Sequence, residues 1–291
     1  MRRRPRVALA TAAAFPRLDP DDGQLLLAAL HRRGVVAQPM VWDDPDVDWS
    51  AYDLVVIRST WDYAPRRDVF VDWAESVAAR TRLANPAPLI RWNTDKRYLR
   101  DLAAAGLPVI TTTWLEPVDR VTLPTTGEYV VKPAISAGAK DTARYAADDP
   151  AAPQHVARLQ GAGRTVMVQP YLAAVDRAGE TALLYVSGNY SHAIRKGPLL
   201  RLGGEFPAGP YAEEEIRRRE PAAAERSLAD AVLDAVPGGR HQLLYARVDL
   251  VPGADGVPLL LELELTEPSL FLDRDPSAAD RLAAAIEVAA S

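Results

Sequence analysis

The chain reads as an α/β unit built on a parallel sheet, followed by a longer α+β region of antiparallel strands. Three observations carry that reading. In the first ninety residues, short apolar runs without two-residue alternation are separated by amphipathic helical stretches, as expected of strands buried on both faces. Beyond residue 108, short strands dominate and helices interrupt them only at intervals, which suits sheets with helices on one side. At 291 residues the chain has room for about two domains.

Val7–Ala12 is predicted as the first strand. The four arginines of residues 1–6 and the apolar residues 7–15 superficially suggest a secretory leader, but nine apolar residues are few and Asp19, Asp21 and Asp22 follow directly. A buried strand feeding a helix capped near Asp21 or Asp22 is the expected reading, and the cytoplasm the expected location. Gly23–Arg33 follows as a helix closed by Gly34, Val35–Pro39 and Leu54–Arg58 as strands, and Asp68–Arg82 as an amphipathic helix. Asn85-Pro86-Ala87-Pro88 has the composition of a linker, and Asn93 is placed to cap a helix over 94–105. Strands are then expected at 109–112, 129–132, 166–169, 182–186, 191–196, 245–251 and 259–265. Helices are expected at 155–159, 222–235 and 277–290.

Composition narrows the function classes. With 48% hydrophobic and 25% charged residues, and no run near the ~18–20 apolar residues of a membrane helix, the chain is expected to be globular and free of the membrane. Cysteine is absent, which removes disulfides, thiolate zinc sites and cysteine nucleophiles together. A net charge of −5 provides no general attraction to nucleic acid. Only four of the 34 basic residues are lysines: Lys96, Lys132, Lys140 and Lys196. A compact ammonium does jobs a planar guanidinium cannot, so these four are singled out.

Two segments carry chemistry. In Leu259–Leu265, Glu262 and Glu264 project from one face of a strand, and Arg247-Val248-Asp249 places an arginine and an acid on a common face of another. Carboxylates gathered there without histidine suit Mg2+ bound together with phosphates. Tyr129–Pro133 ends a strand in Lys132, and the small residues 134–142 follow, including Ser136, Gly138, Lys140 and Thr142. Small side chains let backbone N–H groups approach phosphate oxygens, although no Gly-Lys-Ser/Thr opens a helix here. Arg58-Ser59-Thr60-Trp61-Asp62-Tyr63 reads equally as a ligand-facing loop or as a helix start with surface aromatics.

In their order along the chain these pieces resemble the ATP-grasp superfamily over roughly residues 92–291. They are similar in particular to the actinobacterial, glutathione-synthetase-like group that includes the cycloserine-forming cyclo-ligase; Arg58–Tyr63, Arg91–Lys96 and Ser191–Lys196 carry that closer likeness. The resemblance implies a Rossmann-like domain over 1–91, a small lobe with a phosphate lid over 92–167 and a carboxyl-terminal lobe with the Mg2+ site over 168–291. It implies ATP held by Lys96, Lys132, the lid residues Ser136, Gly138 and Thr142, the hinge Gln169-Pro170-Tyr171-Leu172 and the ribose acid Glu180. Asp249, Glu262 and Glu264 would hold Mg2+, with two ions expected. Glu264 stands where the family more often has asparagine, which adds a negative charge and leaves its mode of coordination open.

The implied activity is ATP-dependent joining of a carboxylate to a nitrogen nucleophile through an acyl phosphate, with ADP and phosphate as products. The substrate is expected to be a small amino-acid-like molecule, with ring closure of the cycloserine type as one form of the reaction. An intermolecular amino-acid or peptide ligase, and an ATP-binding protein without turnover, remain the alternatives. Arg247 would sit beside the acyl phosphate, and Lys140 and Lys196 near phosphate or substrate. Arg58, Trp61, Tyr63, Arg195, Glu267 and Ser269 are the substrate candidates. His192 is expected to be satisfied by a neighbour, and the charged run 213–220 to be a solvated helix or loop. A homodimer through the amino-terminal domain is compatible with the sequence.

Overall fold

The computed structural model describes residues 3–203 and 215–291. It opens with β1 (Arg6–Thr11), α1 (Asp22–Arg32), β2 (Val36–Val41), β3 (Leu54–Ser59), α2 (Arg67–Ala78) and β4 (Arg82–Ala84). The four strands form a parallel sheet in the order β2-β1-β3-β4. Its two faces meet different layers, which is why the strands show no polar alternation. Val7 and Leu9 pack with Leu26 and Leu30 of α1, whereas Ala8 and Ala10 pack with Phe70 and Ala74 of α2. The last helix of the chain also joins the α1 face, through Leu282 and Ile286.

The middle of the chain holds α3 (Ala87–Asn93), α4 (Tyr98–Ala104), β5 (Thr113–Leu115), β6 (Glu128–Pro133), β7 (Ala143–Ala146), α5 (Ala151–Gly161) and β8 (Val166–Pro170). These strands make an antiparallel sheet, β5-β8-β6-β7, with Val156 and Leu159 of α5 in its core. The remainder is α6 (Val175–Ala178), β9 (Glu180–Val186), β10 (Asn189–Lys196), β11 (Ile216–Arg218), α7 (Ala223–Asp234), β12 (Tyr245–Pro252), β13 (Pro258–Glu264) and α8 (Ala278–Ala290). Its five-stranded antiparallel sheet runs β11-β10-β9-β12-β13. Leu183, Val248 and Leu250 pack on α7, while Ala182, Leu184 and Ile194 face the α1–α8 layer.

Several local expectations change. Residues 85–88 are no loose linker: Asn85 is buried, donates to Tyr245 O (2.9 Å) and Leu265 O (2.7 Å) and accepts from Leu244 N (2.7 Å), and α3 begins two residues later. Asn93 ends α3 and caps no helix over 94–105; its amide donates to Leu263 O and accepts from Leu265 N. The segment 109–112 forms no strand of its own sheet but bridges β13 at Leu260, and β5 starts at Thr113. Asp19, not Asp21 or Asp22, accepts the N–H groups of Asp22 and Gly23 at the start of α1. In the charged run, 216–218 is an edge strand; residues 213 and 214 lie outside the described residues. The division at 167/168 cuts β8, which belongs whole to the middle sheet, and α3 runs across residue 91.

One consequence concerns the outer edge of β13. An edge strand presents unpaired backbone groups, and here they are taken by the 93–110 segment. Tyr98 Oη both donates to Leu263 O (2.9 Å) and accepts from Leu263 N (2.8 Å), Asn93 holds Leu263 O and Leu265 N, and Leu260 pairs with Pro108 O and Ile110 N. Asn93→Ala would strand the buried Leu265 N–H, at about 1–3 kcal/mol, and would take from Leu263 O one of its two donors. A fall of roughly 2 kcal/mol or more in unfolding free energy, read by urea denaturation, is therefore expected; an unchanged midpoint would contradict this account of the edge.

Candidate active site

The three sheets surround a cleft of about 970 Å³. Its floor is the β12–β13 pair. Arg247 lies opposite Glu264 and Asp249 opposite Glu262, and just beyond them the register slips by one residue, with Leu250 opposite Leu260. That slip is a β-bulge at Leu261, and it decides where the acids point. Leu260 packs in the core beneath the sheet, and strict alternation would send Glu262 and Glu264 to the same side. The extra residue reverses the sense, so Leu263 and Leu265 enter the core and Glu262 and Glu264 line the cleft.

Each acid of the floor meets a cation. Arg247 Nε and Nη2 reach Asp249 at 2.9 and 3.0 Å, Nη2 also bonds Glu264, and Nη1 donates to Ser269 O at 3.1 Å. Lys196 Nζ contacts Asp249 at 2.7 Å and Glu180 at 3.1 Å, and Lys96 Nζ contacts Glu262 at 3.1 Å and Ser136 O at 3.0 Å. Burial works against the charge of Asp249, Glu262 and Glu264, so the balance of neighbours sets the titration of these three. Asp249 is held down at about 2 because Arg247 and Lys196 outweigh its burial. Glu262 is lowered likewise, through Lys96 and Lys132. Glu264 rises to about 7, since burial and the neighbouring Glu262 and Asp249 exceed what Arg247 offers.

Lys132, at the end of β6, is the exception. Burial lowers its pKa and Glu262 offsets this only in part. Among the described residues its ammonium has neither a hydrogen-bond acceptor nor a carboxylate within ion-pair distance, although it lines the cleft and is buried.

Above the floor, residues 136–142 form a loop in which Gly138, Ala139 and Asp141 take positive φ values of 61°, 54° and 59°. Asp141 is anchored by Arg158 of α5 (3.1 Å) and by Arg164. Ser136, Gly138, Lys140 and Thr142 all line the cleft, Lys140 as an exposed residue. At the far end, Gln169, Pro170, Tyr171 and Leu172 line it where β8 leaves the middle sheet. Gln169 Nε2 is tied to Thr112 Oγ1 (2.8 Å), and the Arg144 guanidinium lies 3.4 Å over the Tyr171 ring. Glu180 opens β9 beside Lys196. This approach requires Gly179 (φ +70°), because a Cβ there would stand 2.3 Å from Lys196 O.

From the parallel sheet, the loop after β3 brings Trp61 and Tyr63 to the cleft, facing Glu267 and Ser269. Trp61 Nε1 donates to Glu267 O (2.9 Å), and Tyr63 hydrogen-bonds the Glu267 side chain. Ligands of such sheets gather beyond the strand carboxyl ends, and this loop occupies that position.

Two candidates do not reach the cleft. Arg58 is buried beneath it, donating to Pro268 O (3.0 Å) and lying over the Tyr245 ring. Arg195 points to the opposite face of β10 from Lys196 and donates to Ala178 O (2.6 Å) and Arg177 O (3.1 Å), bracing the turn before Glu180. His192 is buried elsewhere, between Ser191 Oγ and Leu270 O. Asp22, expected only near the cap of its helix, has a long-range role that the sequence reading missed. Its carboxylate accepts from the N–H groups of Leu270, Phe271 and Leu272, fixing the chain that follows Glu267 and Ser269. Three acids at a helix start were the available signal, but nothing local names their partners 250 residues away.

Among the described residues no three acidic or histidine side chains stand in an arrangement that would hold a metal ion as they are. The donor set is nevertheless the right kind for Mg2+: carboxylate oxygens alone, from adjoining strands, beside the buried and unpartnered Lys132.

Residues 7–85 match the family described as the amino-terminal domain of D-cycloserine synthetase DcsG. The cycloserine biosynthesis protein DcsG of Streptomyces lavendulae is 42% identical over 96% of this chain and 97% of its own length. The crystal structure of D-cycloserine synthetase DcsG superposes with a TM-score of 0.86 at 39% identity, covering 98% of this chain and 100% of that one. D-alanine–D-alanine ligase from Bacillus anthracis, in complex with ATP, matches with a TM-score of 0.70 at 16% identity over 98% and 97% of the two chains, a likeness of fold. No helix among the described residues is long and apolar enough to cross a membrane.

Burial and the nearby Glu264 raise the Glu267 carboxyl from 4.5 to about 8. A carboxyl raised in the fold adds stability that is whole below its unfolded value and is lost as pH climbs through the folded one. The unliganded protein is thus expected to lose stability between about pH 5 and 9, by up to ~1.4 kcal/mol per pH unit from this group. Thermal melts of Glu267→Gln should show a flatter profile over that interval; a slope equal to wild type would contradict the assignment.

Proposed function

The chain belongs to the D-cycloserine synthetase family of ATP-grasp ligases, and from that premise we propose that it closes an amino-acid-like substrate into the cycloserine ring. It is an ATP-dependent carboxylate–amine ligase, and it acts on small molecules. In the proposed reaction the substrate carboxylate takes the γ-phosphoryl group, ADP leaves, and a nitrogen of the same substrate attacks the acyl carbon and releases phosphate. We place this reaction in the cytoplasm, where ATP is made.

The physical difficulty is to bring a carboxylate to a triphosphate of the same sign, so positioning and charge neutralisation are the main tasks. The buried, unpartnered Lys132 ammonium is the observation that carries the reading: an anion of the ligand is the partner its position calls for. Lys132 and Lys96 would take phosphate oxygens, the 136–142 loop would cover them and keep out water, and the hinge at 169–172 would hold adenine. Glu180 would accept the ribose hydroxyls once Lys196 turns to phosphate or substrate. Asp249, Glu262 and Glu264 would hold Mg2+, which supplies neutralising charge to the phosphates when bound. Arg247, held firmly protonated because Asp249 and Glu264 outweigh its burial, is placed to steady the acyl phosphate and the oxyanion that forms on attack.

Lys132→Ala is expected to weaken ATP affinity about tenfold or more, as loss of one charged hydrogen-bond donor to phosphate should. Calorimetric titration with ATP and Mg2+ measures this, and an unchanged affinity would remove Lys132 from the phosphate site. The nucleotide product should be ADP with one phosphate released per turnover. AMP and pyrophosphate would instead reveal adenylate chemistry and overturn the scheme.

A further inference from the structure

The cleft contains a second ionisable group without a counterpart. Asp249 has Arg247 and Lys196, Glu262 has Lys96, Glu264 has Arg247, and Glu180 has Lys196. Asp19 is occupied by two backbone N–H groups and Ser59 Oγ, and Asp22 by three N–H groups. Asp19 and Glu267 are the acids lining the inner cleft with no cation within ion-pair distance among the described residues; the oxygens of Asp19 are taken by three donors, whereas Glu267 is offered the Tyr63 hydroxyl.

Its surroundings hold it still. Trp61 anchors its backbone carbonyl, and the buried Tyr63 hydroxyl donates to its carboxyl group. The Tyr63 ring is itself stacked on Phe70, with centroids 4.7 Å apart and planes at 24°. Two residues further on, Ser269 O receives Arg247 Nη1. One short turn therefore joins an acid without a cation to the guanidinium assigned to the reacting carboxylate.

We propose that Glu267, positioned by Tyr63 and Trp61, binds the protonated amine of the substrate. The inference rests on the ligase reading above and deepens it: the substrate is recognised as a zwitterion, its carboxyl end at Arg247 and its ammonium at Glu267. An ammonium entering the cleft would supply the cation the fold withholds, and a buried carboxylate paired in this way is held much more tightly than an exposed one. Burial and Glu264 raise the titration of Glu267 in the unliganded protein, and Tyr63 and the more distant Lys96 offset this only in part. Tyr63 supplies a hydroxyl that accepts as well as donates, so it completes the shell around a three-donor ammonium.

The experiment is calorimetric binding of D-cycloserine and of N-acetyl-D-cycloserine to the ADP–Mg2+ complex of the wild type and of Glu267→Gln. Wild type should bind the amine and reject the acetylated compound. Glu267→Gln, which keeps shape and removes charge, should bind the amine about tenfold more weakly or worse and lose most of that discrimination. ADP affinity should stay within about twofold, since the substitution does not touch the phosphate cations. Tyr63→Phe should fall between the two. Equal binding of D-cycloserine by wild type and Glu267→Gln would overturn the ammonium assignment and leave the ligase reading standing. A matching loss of ADP affinity would overturn it too, by showing that Glu267 maintains the nucleotide site. Failure of D-cycloserine to bind the wild type would overturn the proposed product and this inference together.

Discussion

A single extra residue in β13 decides which of its side chains line the cleft of this protein. Without the bulge at Leu261, the two-residue period that sends Leu260 into the core would send Glu262 and Glu264 after it. With it, two acids of β13 face the cleft beside Arg247 and Asp249 of β12. Four charged side chains then stand side by side on adjoining strands, and none is tolerable alone. Lys96 and Lys196 complete the balance from two other parts of the chain. The cations that offset the acids are the groups a triphosphate would draw towards itself, so an arrangement that is stable unliganded is also primed for exchange.

That ladder sits at a sheet edge, and the rest of the fold secures it. Asn93, Tyr98 and the 108–110 segment take the outward backbone groups of β13, so the stretch that presents Lys96 is the one that clamps Glu262's strand. Asn85 binds the start of β12 and the end of β13 to the parallel sheet. Asp22, at the start of α1, grips the chain beyond Ser269. Two buried polar side chains, Asn85 and Asp22, thus connect the amino-terminal unit to the cleft floor and the chain beyond it. Each leaves unsatisfied groups behind when removed, which adds a directional constraint to the apolar layer that α1 and α8 share.

Much of this was legible in the sequence because it depends on local pattern. Unbroken apolar runs marked β1 and β3, and Arg-x-Asp with Glu-x-Glu marked the floor. Lysine scarcity in an arginine-rich chain pointed to Lys96, Lys132 and Lys196, all of which line the cleft. The failures share one cause. Asn85 and Asn93 have the composition of a linker and a cap, and only their distant partners on β12 and β13 make them clamps. Arg58 and Arg195 sit in motif-like strings, yet strand parity and burial turn them to backbone carbonyls away from the cleft. The bulge itself is invisible in Leu259–Leu265, where alternation from Leu261 looks regular and the reversal relative to Leu260 shows only in the pairing.

The central claim is that Asp249, Glu262 and Glu264 become the metal ligands when a nucleotide draws away their cations. Electron paramagnetic resonance of Mn2+ added to the protein, with and without a non-hydrolysable ATP analogue, tests it most directly. The account predicts weak Mn2+ binding alone, strong binding once the analogue is present, and loss of the strong site in Glu262→Gln. Equally strong, nucleotide-dependent Mn2+ binding in Glu262→Gln would contradict it.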